Sequence, residues 1–229
     1  MSLQISCQSL SKSFSTQDLF KDISFGIHEN EKLGLIGPNG SGKSTLLKIL
    51  FGLEKPDKGE VAVKKGLNLV YLAQTETYNK SHTIEEILLE SLHEDIDIND
   101  KYVLVDRILK QAGFENSSQI FGELSGGWRK RVAIASALIQ SPDVLFMDEP
   151  TNHLDLESIE ALNYALSIFE GTVIFVSHDR EFVGSLATRI IEVTPEGIHD
   201  FKGTYDEYLD HEGGDFFKRL TSGGITAKK

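Results

Sequence analysis

An α/β fold built on a largely parallel sheet is what this chain predicts, and three observations carry the prediction. Short runs such as VLFM (Val144–Met147) and VIFV (Val173–Val176) are apolar without alternation. That pattern belongs to strands covered on both faces, not to a sheet wetted on one side. Helix-like stretches alternate with these runs, as in sheets wrapped by helices. Finally, the apolar segment KLGLI leads straight into the glycine-rich stretch GPNGSGKST at Gly37–Thr45, followed by LLKILFG.

The elements follow in order. DISFGIH (Asp22–His28) and KLGLIG (Lys32–Gly37) read as strands. So do GEVAVK and LNLVYLAQ after the first helix, the former with alternation. Around Thr75 the texture changes. Thr83 is placed to cap a helix, with Glu85 and Glu86 in its first turn. HEDIDIND (His93–Asp100) reads as an acidic loop, and KYVLVDRILKQAG as a helix stopped by Gly113. Residues from about 75 to 135 therefore form a mostly helical insert in a single domain spanning 1–229. Beyond it come a buried strand DVLFMDE, a helix from about Glu157, a strand TVIFVS, a short helix, and strands RIIEV and IHDF. Residues 211–229 read as a tail or a truncated linker.

Composition narrows the function. The chain has 229 residues, 40% of them hydrophobic, enough for a sizeable core. Its net charge of -12 argues against a protein whose main task is coating nucleic acid. Cys7 is the single cysteine, so no internal disulfide is expected and a reducing compartment fits. The N-terminus lacks a basic start followed by an apolar run, and no apolar run approaches membrane length. A soluble, cytoplasmic chain without direct membrane insertion is expected.

The chemistry begins at the glycine-rich stretch. Gly37, Gly42, Lys43 and Ser44 match G-x-x-x-x-G-K-[ST] between a strand and a helix. Glycines let successive backbone N–H groups point at phosphate oxygens, and the next helix adds its positive end. Gly37, Pro38, Asn39, Gly40, Ser41, Gly42, Lys43, Ser44 and Thr45 are thus expected to cradle a nucleoside triphosphate. Lys43 would reach the β- and γ-phosphates, and the Ser44 hydroxyl would ligate Mg²⁺. VLFMDEP puts Asp148 and Glu149 at a strand's carboxyl end, where open α/β sheets bind ligands. Asp148 suits a metal ligand, and Glu149 suits a base acting on water. His178 ends TVIFVS in the same way and is placed to sense a γ-phosphate. Gln74 ends LNLVYLAQ and has an amide for Mg²⁺ or the attacking water. The SGG of LSGGWRKR is a weak signal alone, since Ser commonly caps helices.

Taken in order, GPNGSGKST, Gln74, LSGGW, VLFMDEP and His178 resemble the ATP-binding cassette (ABC) ATPases, over about Leu3 to Leu209. The resemblance implies a P-loop NTPase fold with a mixed, mainly parallel sheet, an N-terminal antiparallel β subdomain and a helical signature subdomain. It implies ATP and Mg²⁺ as cofactors and two cassettes sandwiching two ATP molecules. Ser125, Gly126 and Gly127 would then contact the γ-phosphate of the opposite cassette. Asp155 would sit in the turn coupling the two sites, and Phe14 would stack on adenine or, alternatively, staple the core. MDEPTNHLDL, the Trp128 ending of the signature, SHDREFV and GTYDEYL resemble the ABC-F group, and LSGGWRKRVAIA its Uup-like branch. That group implies a translation factor acting on the ribosome. A motor subunit docking on a separate membrane protein is the alternative reading. The chain departs from the group in carrying one cassette and no strongly basic helix. It is read as half of a longer protein, or as a member that pairs with itself.

Overall fold

A computed structural model describes residues 2–14, 17–75, 77–152, 154–194 and 197–212. In chain order it begins with strands β1 (Leu3–Phe14), β2 (Gln17–His28) and β3 (Lys32–Ile36), helix α1 (Lys43–Phe51), and strands β4 (Lys58–Val63) and β5 (Leu69–Leu72). Helices α2 (Ile84–Glu90), α3 (Ile98–Gln111) and α4 (Gly126–Ile139) follow, then β6 (Val144–Asp148) and α5 (Leu156–Ser167). The chain continues with β7 (Thr172–Val176), α6 (Arg180–Leu186), β8 (Arg189–Thr194), β9 (Gly197–Lys202) and α7 (Tyr205–Glu212). These elements fall into two compact units, one of residues 1–67 and 170–229, the other of 68–169.

In the first unit β1 pairs antiparallel with both β2 and β4. Separately, β3 lies between β7 and β8, parallel to both, and β8 turns back into antiparallel β9. Every residue of β3 and β7 is buried, so their uninterrupted apolar runs are explained by cover on both faces. Leu46, Leu47, Ile49 and Leu50 of α1 are buried, and α1 packs against β7. Arg189, 4% exposed at the start of β8, ties the strands together. Its guanidinium donates to Gly26 O at 2.7 Å, to Glu31 Oε2 at 2.9 Å and through Nε to Asp200 Oδ1 at 2.8 Å.

In the second unit β5 and β6 pair in parallel. Helices α2, α3 and α4 enclose a core that includes Ile87, Leu88, Val105, Phe121 and Val132. Thr83 and Glu86 form a reciprocal capping box at α2, as the sequence anticipates. Gly113 follows α3 at φ +74°, a left-handed backbone that only glycine adopts without strain.

The largely parallel α/β pairing is therefore as expected, with three refinements. β1 went unread because its polar residues interrupt the apolar pattern and its burial alternates imperfectly around bulges. The supposed acidic loop ends early, since Asp97 caps α3 and the helix begins at Ile98. β5 stops at Leu72, so Gln74 lies two residues beyond the strand, because the backbone of Ala73 and Gln74 is drawn to a side chain of α4. The expected tail lies outside the described residues from 213 onward.

Replacing Arg189 with Ala leaves the carboxylates of Glu31 and Asp200 without their shared cation. Expected is a loss of about 3 kcal/mol, read as a lower urea midpoint. Lys12→Ala, which removes the surface pairs to Glu54 and Asp57, is expected to leave the urea midpoint nearly unchanged.

Candidate functional site

Geometry at the exit of β3 follows from packing. Gly37 takes φ +145°, and a Cβ there would stand 2.4 Å from Val193 O. Gly42 takes φ +92° at the cap of α1, with a would-be Cβ 2.9 Å from Leu19. Neither position admits another residue without moving its neighbours. Between them Asn39 and Gly40 are exposed, and Ser41 is buried with its Oγ lacking a hydrogen-bond partner among the described residues. Lys43 is buried, and its ammonium donates to Gly37 O and Pro38 O, each at 2.9 Å. The lysine thereby curls its own loop around itself. Ser44 and Thr45 open α1 half-buried. The loop thus offers backbone donors, one cation and hydroxyls in one place, which suits a polyphosphate.

His178 lies just past the end of β7, within the same unit. Partial burial, and then the positive charge of Lys43, hold its imidazole below the usual histidine range. A neutral ring can accept as well as donate a hydrogen bond. Phe14 ends β1 with 52% of its surface exposed, and the Lys12 ammonium sits 5.6 Å from its ring centroid. That exposure does not fit a staple in the core.

The remaining groups belong to the second unit. Asp148 ends β6 and is 5% exposed; Glu149 follows it and is 7% exposed. Glu149 holds φ 50°, an uncommon conformation for a non-glycine residue that costs on the order of 1 kcal/mol. Tyr71 of β5 donates its hydroxyl to Asp148 Oδ2 at 3.2 Å, and burial, then the Asp148 charge, push the phenol's pKa well up. Ser125 is exposed and caps α4, accepting from Trp128 N, so Gly126 and Gly127 form the first turn of that helix. Asp155 caps α5, accepting from Ser158 N at 2.8 Å, and the hydroxyl of Ser158, then that backbone bond, lower its pKa. Gln74 is exposed.

The family model described as ABC transporter matches residues 20–152, more than half of the chain. The chain belongs to the ABC transporter family. Among curated relatives of this cassette, the ATP-binding protein YbiT of Escherichia coli O157:H7 is 43% identical over 209 residues, 90% of this chain and 39% of that protein. The ATP-binding protein Uup of Buchnera aphidicola (subsp. Schizaphis graminum) is 37% identical, covering 90% and 35%. ABC transporter F family member 5 of Arabidopsis thaliana is 28% identical, covering 90% and 36%. The chain thus spans less than two fifths of the length of these relatives. A solved ATP-binding subunit of an ABC transporter shares the fold at TM-score 0.80 and 22% identity, covering 96% of this chain and 98% of that one. The cassette MJ0796, a dimer in a post-hydrolysis state bound to ADP and Pi, matches at TM-score 0.73 and 25% identity, covering 87% and 99%. Relatives named for the F branch agree with the resemblance carried by TNHLD and LSGGW.

Two residues of the ABC cassette escaped the sequence reading. Tyr71 looks like an ordinary strand aromatic until its hydroxyl is seen on Asp148. Lys130 sits in the signature helix yet is 2% exposed, donating to Ala73 O at 3.1 Å and Gln74 O at 3.3 Å. It fastens the segment bearing Gln74 to the helix bearing the signature. The only sequence signal was a basic run, RKR, which ordinarily reads as a solvated face.

His178 gives a pH prediction. Its folded pKa lies below the unfolded value of about 6.5, so the unfolded chain takes up that proton first as the pH falls. The contribution of the neutral ring is complete above about pH 6.5 and is lost below it. Between about pH 7.5 and 5.5, the urea midpoint of His178→Gln is expected to fall less than that of the unsubstituted chain.

Proposed function

We propose that this cassette binds and hydrolyses ATP with Mg²⁺, closing on a second cassette when the nucleotide is bound. The observation that carries the reading is the loop of residues 37–45, where a buried ammonium and glycines at positive φ build a cradle for phosphates. Lys43 exchanges its two carbonyl partners for phosphate oxygens, which preorganises the loop without leaving the ammonium unpaired. Backbone N–H groups between Gly40 and Thr45 and the start of α1 take the remaining phosphate charge.

The donor set fits magnesium. Among the described residues no three His, Cys, Asp or Glu side chains cluster as a protein cage. Mg²⁺ needs none, since it keeps waters and phosphate oxygens and takes only one or two protein ligands. Ser44 and Asp148 would hold it, with Gln74 as a further ligand. Bound there, the ion neutralises phosphate charge. Glu149, next to Asp148 and 7% exposed, acts as base on the attacking water. His178, kept neutral, hydrogen-bonds the γ-phosphate. Phe14 stacks on the base. Ser125, Gly126 and Gly127 present the first turn of α4 to the nucleotide of the opposite cassette, and Asp155 lies in the turn joining the two sites. Loss of the γ-phosphate removes the anion shared by the pair and reopens it.

The relatives' names support an ABC-F cassette, and the resemblance to that branch is what supports a cytoplasmic role at the ribosome. The net charge of -12 makes a direct grip on RNA by this segment unfavourable, so contact through other parts of a longer protein fits better.

Two variants test the chemistry. Glu149→Gln is expected to retain ATP affinity, to lose turnover by a factor on the order of 10²–10⁴, and to accumulate as a dimer in size-exclusion chromatography with ATP. Full phosphate release by this variant removes Glu149 from the role of base. Lys43→Ala is expected to weaken nucleotide binding by about 10- to 100-fold in calorimetry, the scale of a lost charged hydrogen bond.

A further inference from the structure

A groove of about 700 Å³ runs between α3, α4 and α5, all within the unit of residues 68–169. Its walls include Leu104 and Ile108 of α3, Ile134 and Leu138 of α4, and Ala165 of α5 with Ile168 just beyond. The apolar surface does not stop at the rim. Tyr164 and Ile168 are 70% and 62% exposed. Val103, 68% exposed, lies one turn before Arg107 on the same face of α3. Positions 103 to 111 form a strip about 12 Å long at 1.5 Å per residue. An enclosed small ligand would leave this outer strip in water.

Charge identifies the occupant. The chain carries 35 aspartates and glutamates in 229 residues, a frequency that would place about three in a lining of this size. The lining holds none, and it holds Arg107 and Arg131. Arg131 is partly engaged, over the Trp128 ring at 4.7 Å, on Ser158 Oγ at 3.1 Å and near Glu157 at 4.0 Å. Arg107 has no ion pair among the described residues, while its neighbour Asp106 is taken by Lys110.

We propose that this groove docks an amphipathic helix of a partner protein, two to three turns long, with an apolar stripe flanked by carboxylates. Helix-in-groove binding places residues at i, i+3, i+4 and i+7 into an apolar channel. Carboxylates along the flank meet Arg107 and the free side of Arg131, which sets orientation and rejects basic helices. The site is separate from the nucleotide residues, so it does not depend on the ATPase reading.

The probe is a synthetic, fluorescently labelled helical peptide of about 14 residues, with leucines at i, i+3, i+4 and i+7 and glutamates on the flanks. A second peptide carries lysines in place of the glutamates. In anisotropy titrations with the full chain, the glutamate peptide is expected to saturate and to bind at least about tenfold tighter than the lysine peptide. Ala161→Glu, at an exposed position of the lining, is expected to weaken the glutamate peptide at least about tenfold. Arg107→Glu, also exposed, is expected to remove the preference between the peptides while thermal unfolding stays unchanged. Absence of saturable binding, equal affinity for both peptides, or indifference to Ala161→Glu overturns the proposal.

Discussion

Cover on both faces of β3 is the constraint from which the nucleotide loop follows. Each residue from Lys32 to Ile36 is buried, and parallel neighbours occupy both edges. No backbone group there can turn to water, so the chain must run straight until the ladder ends. It leaves the sheet at Gly37, beside the carbonyl of Val193, where even a methyl group has no room. The turn that follows is therefore tight by packing, and within it Ser41 N donates to Pro38 O at 3.2 Å. Lys32 shows the same economy of space at the other end of the strand. Burial lowers its pKa to about 8, and its ammonium donates to Gly171 O at 2.7 Å.

Polar groups buried near the proposed chemistry are held by specific partners. A buried ammonium or carboxylate with no partner costs several kcal/mol, so such groups persist only where hydrogen bonds answer them. Lys43 holds two carbonyls of its own loop, Lys130 two carbonyls of the segment at Gln74, and Asp148 the hydroxyl of Tyr71. Each bond also fixes a position. At Lys43 the two carbonyls hold the glycine-rich turn in shape.

Surface chemistry complements this arrangement. In an acidic chain, an apolar groove whose lining holds no carboxylate and two arginines lies within a unit that has its own core of Ile87, Leu88, Val105 and Val132. A rigid three-helix wall suits docking, because little conformational entropy is lost on its side of the contact.

By itself the sequence determined what depends on local spacing. Apolar runs announced β3, β6 and β7, the capping residues Thr83 and Gly113 marked helix ends, and G-x-x-x-x-G-K-S marked the glycine turn between β3 and α1. Those signals are short-range, since a turn, a cap or a buried strand imposes its residue types within a few positions. Tertiary structure decided the rest. It placed the Tyr71 hydroxyl on Asp148, turned RKR so that Lys130 is buried and reaches Ala73 and Gln74, and showed β1 as the centre of an antiparallel sheet. These depend on which segments meet across tens of residues, and nothing in the spacing of a polar side chain tells which distant carbonyl will need its proton. The groove is of the same kind, because its walls come from three helices and only their packing makes the separate apolar faces into one surface.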